Sequence, residues 1–370
     1  MIIGIDASRA AYAERTGTEN YSLFLIRALL DLETEHRFRL YSSISPEPDL
    51  FATENAELRI MPFPRLWTHL RLSLEMVLRA PDVLFVPAHV LPLLHPKHNV
   101  VTVHDLGYLH YPEAHPQWDR WYLRWSTLHN VHHACRVIAD SEATKRDLIE
   151  YCGAPADKIQ VIYPGHDPAF VPERSPSRLE AVREQYGLPG DYVIHVGTCQ
   201  PRKNLGTLLD AFSVVCRQHP HLHLALVGKK GWLFEPLLAR TQQLGIQRQV
   251  HFTGYAPRAD LPALLTAARA FLMPSLYEGF GLPVLEAMAC ETAVICSNAS
   301  SLPEVAGDAA LLVDPHDSAA WAVALERVLT DEPLRTELVE RGLRQVGRFS
   351  WAECARQTLA VLETAAAHLP

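Results

Sequence analysis

No C-x-x-C pair occurs among the seven cysteines, at positions 135, 152, 199, 216, 290, 296 and 354. The usual zinc and thioredoxin-like spacings are thereby excluded, and an odd count fits reduced thiols better than a secreted disulfide framework. No apolar run reaches bilayer length: the most apolar stretch, VLFVPAHVLPLL, is broken by Pro87, His89 and Pro92. The start, MIIGIDASRA, has no basic region leading into an apolar one, so neither a membrane span nor a secretion signal is expected and the protein is read as cytoplasmic. G-x-x-x-x-G-K-[ST] and G-x-S-x-G are absent, which removes the anchors of P-loop kinases and serine hydrolases. Positive charge is in deficit, with 34 Lys and Arg against 42 Asp and Glu and a net charge of −8. That balance argues against a nucleic-acid partner while leaving room for a local basic cleft that holds phosphates.

What the chain does have is apolar material and rhythm. With 370 residues, 48% of them hydrophobic and 21% charged, it can fold as two domains of about 150 residues or more each, with cores large enough to need no staple. Short β-branched runs recur between helical stretches: IIGID, DVLFVPA, VVTVHDL, RVIADS and IQVIYPG in the first half, then YVIHVGT, LHLALVG, VHFTG, AFLMPS, AVICSN and AALLVDP. Strand alternating with helix implies an α/β protein with a parallel sheet in each half. Pro164, Pro168, Pro172 and Pro176 mark the linker, because neither a helix nor a central strand tolerates that spacing. The predicted units are 1–170 and 171–349, with a helix at 350–370 whose Trp351, Ala355, Leu359, Leu362 and Ala366 share one packed face. In RLWTHLRLSLEMVLRA, Trp67, Leu70, Leu74 and Leu78 recur at helical spacing among arginines. That stripe is expected to pack on a sheet, with contact to an anionic bilayer as the other reading.

The segment LYEGFGLPVLEAMA, residues 276–289, follows an apolar strand, turns through Gly279 and Gly281, and has Pro283 where a helix would begin. Amides in such a turn and at the helix start suit an anion such as a diphosphate. Glu278 on the turn and Glu286 inside the helix would then serve hydroxyl groups, since carboxylates repel phosphate. YVIHVGTCQPRKN ends a strand at Gly197 and presents Arg202 and Lys203 before the next helix, cations fit to clamp a diphosphate and to stabilise it as a leaving group. Two further strand ends, Gly228 with Lys229, and Gly254 with Tyr255, open toward the same edge of a parallel sheet, where ligands bind. In the first half, VVTVHDL puts His104 at a strand end beside Asp105, but adjacent strand residues face opposite ways and do not form a dyad. GFGLPV is only half of a dinucleotide fingerprint, and HNVHH has Asn130 where a zinc protease needs glutamate, so neither a cofactor nor a metal is expected.

The two glutamates with seven residues between them, set in PSLYEGFGLP and followed by LPEVAGDAALLVDP, resemble the E-x7-E motif of retaining nucleotide-sugar glycosyltransferases of the glycogen-synthase-like group. The resemblance implies a GT-B fold, two Rossmann-like domains whose parallel sheets face a central cleft. It further implies transfer of a hexosyl group from a nucleotide diphosphate sugar to an acceptor hydroxyl with retained anomeric configuration. On this reading Arg202, Lys203 and the amides of Gly279, Phe280, Gly281 and Leu282 hold the diphosphate. Glu286 takes the ribose, Glu278 the donor sugar, and His104 the reacting side of that sugar. Gly197, Gly228, Lys229 and Tyr255 line the nucleotide, and Gly17, in ERTGTENYS, stands where relatives bring glycines to the diphosphate. Thr198 replaces an arginine that many relatives place directly after the strand-end glycine. The stretches LVGKKGW and LYEGFGLPVLEAMA are similar to bacterial mannosyltransferases of surface-polysaccharide synthesis, which implies GDP-mannose as donor, with UDP-glucose second. The acceptor would be a glycan or lipid-linked sugar reached by peripheral contact at the inner face of the membrane. A same-fold epimerase, a phosphorylase or a non-catalytic sugar-binding scaffold are the alternatives.

Overall fold

The computed structural model describes every residue except 13–16, 48, 89, 113–115, 232–233 and 368–370. Thirteen strands are described in two sheets, parallel throughout. The first sheet contains β1 (Ile2–Asp6), β2 (Arg37–Ser42), β3 (Ala56–Ile60), β4 (Val83–Val86), β5 (Asn99–Val103), β6 (Arg136–Ala139) and β7 (Ile159–Val161) in the order 3-2-1-4-5-6-7. The second contains β8 (Tyr192–Val196), β9 (His223–Val227), β10 (Val250–Gly254), β11 (Phe271–Met273), β12 (Val294–Ser297) and β13 (Ala310–Val313) in the order 10-9-8-11-12-13. Each order reverses once, at β1/β4 and at β8/β11, and such a reversal splits the loops at the carboxyl edge into a crevice. Helices cover both faces of such sheets, and inner strands such as β4 (VLFV) and β5 (NVVTV) are buried along their whole length. The edge strand β3 (AELRI) is the polar exception.

Apart from a short segment beginning at His110 that groups with the second compact unit, the chain passes from the first unit to the second at Gly165–His166 and rejoins the first at Arg348–Phe349. The returning helix, Trp351–Ala367, buries Cys354, Ala355, Thr358, Leu362 and Ala365 in the first unit's core with Leu25, Ile26 and Leu29. The buried face is rotated slightly from the predicted one, with Leu359 and Ala366 at its margin. His98 Nδ1 bonds the Ala365 carbonyl at 2.8 Å near the helix end. At its start the packing leaves no room: a Cβ on Gly165 would lie 2.3 Å from the Trp351 backbone nitrogen.

One expectation is overturned. In the helix formed by Thr68–Leu72 and Ser73–Arg79, Trp67, Leu72 and Met76 enter the core, while Leu70, Leu74 and Leu78 face solvent. Inner-face polar groups fix that orientation. Trp67 Nε1 donates to the Met61 carbonyl at 2.8 Å, and buried Glu75 is held by Arg59 at 2.7 Å and Arg71 at 3.3 Å. Trp67 alone of the predicted stripe is buried; turning Leu70, Leu74 and Leu78 inward as well would carry Glu75 to the surface and break this ion network.

Gly165→Ala is expected to lower stability by about 1–3 kcal/mol through overpacking against Trp351. Gly206 lies in the Leu205–Val215 helix with open space at its Cβ, so Gly206→Ala should raise stability by roughly 0.5–1 kcal/mol. Urea unfolding monitored by circular dichroism measures both, and equal effects would refute the packing assignment.

Candidate active site

The crevice of the second sheet is built by strand ends in register. Val196 of β8 pairs with Val227 of β9, so Gly197 and Gly228 follow as neighbours. A Cβ on Gly228 would lie 2.0 Å from the Gly197 carbonyl oxygen, and only glycine lets the two loops touch. The Gly228 amide in turn donates to the Gly254 carbonyl at 2.8 Å. Beyond these turns the Lys229 ammonium lies 5.3 Å from the centre of the exposed Tyr255 ring, a cation–π contact.

After Gly197 the chain makes a short helical turn, Pro201–Lys203, and enters the Leu205–Val215 helix through Asn204. Asn204 has φ of 55°, a conformation asparagine accepts more readily than most residues. Its side-chain amide donates to the carbonyls of Pro274 (3.2 Å) and Pro315 (2.6 Å). The Leu276 amide donates to the Arg202 carbonyl at 2.8 Å. The loop after β8 is thus tied to the loop after β11, across the point where strand order reverses.

This tie brings Arg202, Lys203 and Glu278 together. Arg202 Nη1 donates to Glu278 Oε2 at 2.9 Å and to the Tyr277 carbonyl at 2.9 Å, and Lys203 Nζ donates to Glu278 Oε1 at 2.6 Å. Burial by itself would raise the Glu278 pKa, but the two cations outweigh it and hold the carboxyl at about 2. The group is a carboxylate at neutral pH, and the trio carries one net positive charge. The backbone is held from the other side. The Ser300 hydroxyl donates to the Glu278 carbonyl, and Ser301 Oγ lies 2.9 Å from that carbonyl and 2.7 Å from the Phe280 carbonyl. Gly281 then caps the Leu282–Ala289 helix, with Pro283 in its first turn, and the first amides of a helix have no acceptor within it.

Glu286 lies on that helix, apart from the trio. Its Oε1 is 3.7 Å from an Arg258 nitrogen, while Arg258 Nε bonds Asp167 at 2.6 Å and its guanidinium lies 5.1 Å from the Phe170 ring centre. Burial pushes the Glu286 carboxyl up to about 7, with Arg258 opposing and Asp167 adding to the rise. Arg258 and Asp167 carry no motif that marks them in the sequence. Nor does His195, fully buried on β8. Its Nδ1 lies 2.9 Å from the Leu272 carbonyl, and burial together with the Lys203 charge lowers its pKa to about 4.

In the first unit, Val103 of β5 pairs with Ala139 of β6, which makes His104 and Asp140 cross-strand neighbours. His104 Nδ1 lies 2.6 Å from Asp140 Oδ2, and the Tyr21 ring packs edge-on at 4.6 Å. Burial disfavours the imidazolium, but the Asp140 carboxylate outweighs it and raises the His104 pKa. Asp105 instead accepts from the Gly107 amide at 2.8 Å and starts a turn. Asp140 was detectable only as another strand end, in RVIADS. A cavity of about 330 Å³ has His104, Thr102, Thr18 and Glu19 in its wall. Gly17 opens the Gly17–Leu30 helix nearby in sequence, and residues 14–16 before it lie outside the described residues. Among the described residues no cluster of three or more His, Cys, Asp or Glu could hold a metal ion.

Comparison with known proteins agrees with both halves. Glycosyltransferase Family 4 matches residues 15–170, and Glycosyl transferases group 1 matches residues 180–345. O-antigen chain mannosyltransferase B of Escherichia coli is 36% identical over 262 residues, covering 70% of this chain and 68% of that one. Serotype-specific mannosyltransferase WbdA of Escherichia coli is 33% identical over 268 residues, or 70% of this chain, which spans only 32% of that longer protein. The crystal structure of Anabaena HepE in complex with UDP and glucose aligns with a TM-score of 0.74 at 22% identity, covering 98% of this chain and 99% of that one. With two Rossmann-like units and these relatives, the chain belongs to the glycosyl transferases group 1 family and has the GT-B fold.

Proposed function

We propose that this glycosyltransferase moves a mannosyl group from GDP-mannose to an acceptor hydroxyl with retention of anomeric configuration. The observation that carries the reading is the convergence of Arg202 and Lys203 with the Glu278–Leu282 turn where the second sheet reverses its strand order. The relatives named as mannosyltransferases support the choice of sugar.

An arriving diphosphate carries more negative charge than Glu278 and competes with it for the two cations. Arg202, Lys203 and the amides of the Gly279–Leu282 turn then hold the charge that grows on the leaving group. Glu278, drawn partly away from its cations, accepts from hydroxyls of the donor sugar. Glu286 accepts from the ribose, Gly197, Gly228, Lys229 and Tyr255 line the nucleotide, and His104 serves the transferred sugar. The bond from the anomeric carbon to the phosphate oxygen breaks, the bond to the acceptor oxygen forms on the same face, and the acceptor proton passes to the departing phosphate. The acceptor is a glycan or lipid-linked sugar, met at the inner face of the membrane. A relative named for O-antigen chains supports that acceptor class.

A thermal-shift panel of GDP, UDP, ADP and dTDP tests the donor, because a ligand that binds only the folded state raises its melting temperature. A shift with GDP alone is expected, and a shift with UDP alone would overturn the mannosyl assignment. Lys203→Ala should lower turnover by well over about tenfold, the scale of losing one charge-stabilising donor. Near-normal turnover in a folded variant counts against the diphosphate clamp.

Glu286 supplies a pH test. Its folded pKa of about 7 lies above the ordinary carboxyl value of 4.5, so its protonated form favours folding below that ordinary value. The contribution is lost as pH rises through 7. The carboxylate that accepts ribose hydroxyls forms over that same rise. GDP affinity relative to Glu286→Gln should therefore increase as pH is raised from about 6 to about 8. A constant ratio by calorimetry would remove Glu286 from the ribose.

A further inference from the structure

The helix that turned its expected inner face outward presents an apolar stripe to solvent. Leu70, Leu74, Val77 and Leu78 are 50%, 52%, 62% and 66% exposed, and their spacing places them on one side of a helix. Two neighbours extend the surface. The Leu94 amide donates to Ser73 Oγ at 3.1 Å, which sets exposed Leu93 and Leu94 against the same helix. On the other flank His69 Nε2 lies 3.1 Å from the Tyr122 hydroxyl and its ring packs on Trp125, joining the helix to Gln117–His133. That helix exposes Trp118 and Trp121. A contiguous exposed apolar surface of this kind on a folded protein marks an interaction site rather than chance.

The charge around it identifies the occupant. Arg65, Arg79, Lys97 and Arg120 are exposed on the same segments that carry these apolar residues, with Asp119 the exposed acidic exception there. The buried Glu75 is already neutralised by Arg59 and Arg71. A basic excess on these segments, in a chain of net charge −8, is complementary to an anionic partner. Exposed aliphatic side chains, tryptophans and long cationic side chains on adjoining segments supply the three contacts that a lipid surface offers: acyl chains, interface and anionic headgroups. Among the described residues no helix is long and apolar enough to cross a membrane, so contact through this face would be lateral.

We propose that the outward face of the 68–79 helix, with Leu93, Leu94, Trp118 and Trp121, docks the first unit on an anionic lipid bilayer. The proposal rests on the membrane-contact part of the functional reading and supplies its surface. The arginines draw the protein to the headgroups, and the leucines enter the interface and hold it there.

Co-sedimentation of the full chain with vesicles tests this. Binding is expected to vesicles of phosphatidylcholine mixed with phosphatidylglycerol, and much weaker binding to phosphatidylcholine alone. Leu74→Asp with Leu78→Asp should abolish binding, and Arg65→Glu with Arg79→Glu should weaken it by at least roughly fivefold per arginine at low salt. Both pairs are exposed and lie outside the donor site, so melting temperature and the GDP shift should match the parent chain. A parent chain that stays in the supernatant with both vesicles overturns the proposal, as does binding that survives the leucine changes. Size-exclusion chromatography covers the other occupant: a dimer that the leucine changes dissociate, with no vesicle binding, assigns the face to a second copy and refutes the membrane. Vesicle binding that persists without any nucleotide shift would leave this surface standing and sink the donor assignment instead.

Discussion

Two cations cannot be carried to the end of a buried parallel sheet without a counter-charge. Removing an ammonium or guanidinium from water costs several kcal/mol even after relaxation, and in this chain Glu278 offsets that cost for Arg202 and Lys203 at once. The arrangement is unbalanced by one charge, and on the proposed reading that imbalance is what would attract an anion. A perfectly neutral pair would be inert toward phosphate, and an uncompensated pair would be difficult to bury. The surroundings follow from this constraint. Ser300 and Ser301 hold the turn that carries Glu278, Asn204 holds the turn that carries the cations, and burial beside Lys203 keeps His195 neutral. A second positive charge from that imidazole would oppose Lys203 within the protein's own frame.

Register does the rest of the positioning. In a parallel sheet each paired strand end places the two residues that follow side by side. One such pair, Gly197 and Gly228, lets two loops touch; another, His104 and Asp140, joins a base to a carboxylate from far away in sequence. The same edge logic therefore produces close backbone approach in one unit and a charged hydrogen bond in the other. Glu286 is treated differently, buried and shared between Arg258 and a competing Asp167. Its protonation is consequently sensitive near neutrality, whereas Glu278 is fixed as an anion.

Much of this was readable in one dimension. The β-branched runs located the inner strands of both sheets because a strand buried on two faces must be apolar throughout, but they did not mark β2 (RFRLYS) and β3 (AELRI), whose charged residues interrupt the apolar run. The turn at 276–289 was readable because glycine, proline and two glutamates at that spacing have few other uses. For the helix at 68–79 the expected and observed faces differ for a definite reason. SLEMVLR is apolar on more than one side, and a stripe through Leu70, Leu74 and Leu78 is as periodic as the one through Leu72 and Met76. Hydrophobic periodicity cannot choose between two apolar faces; the Glu75 ion network chose.

By itself, the sequence determined the class of fold, the number of units and which loops carry charge. These depend on local composition and on spacing along the chain, which any reader of the residues can measure. Only the tertiary structure decided that Glu278 is the shared counter-ion of two residues some 75 positions away, that Asp140 rather than Asp105 orients His104, and that Arg258 reaches Glu286. Ion pairs and hydrogen bonds act over a few ångströms in space, and distance along a chain holds no record of which groups the crossovers will bring that close.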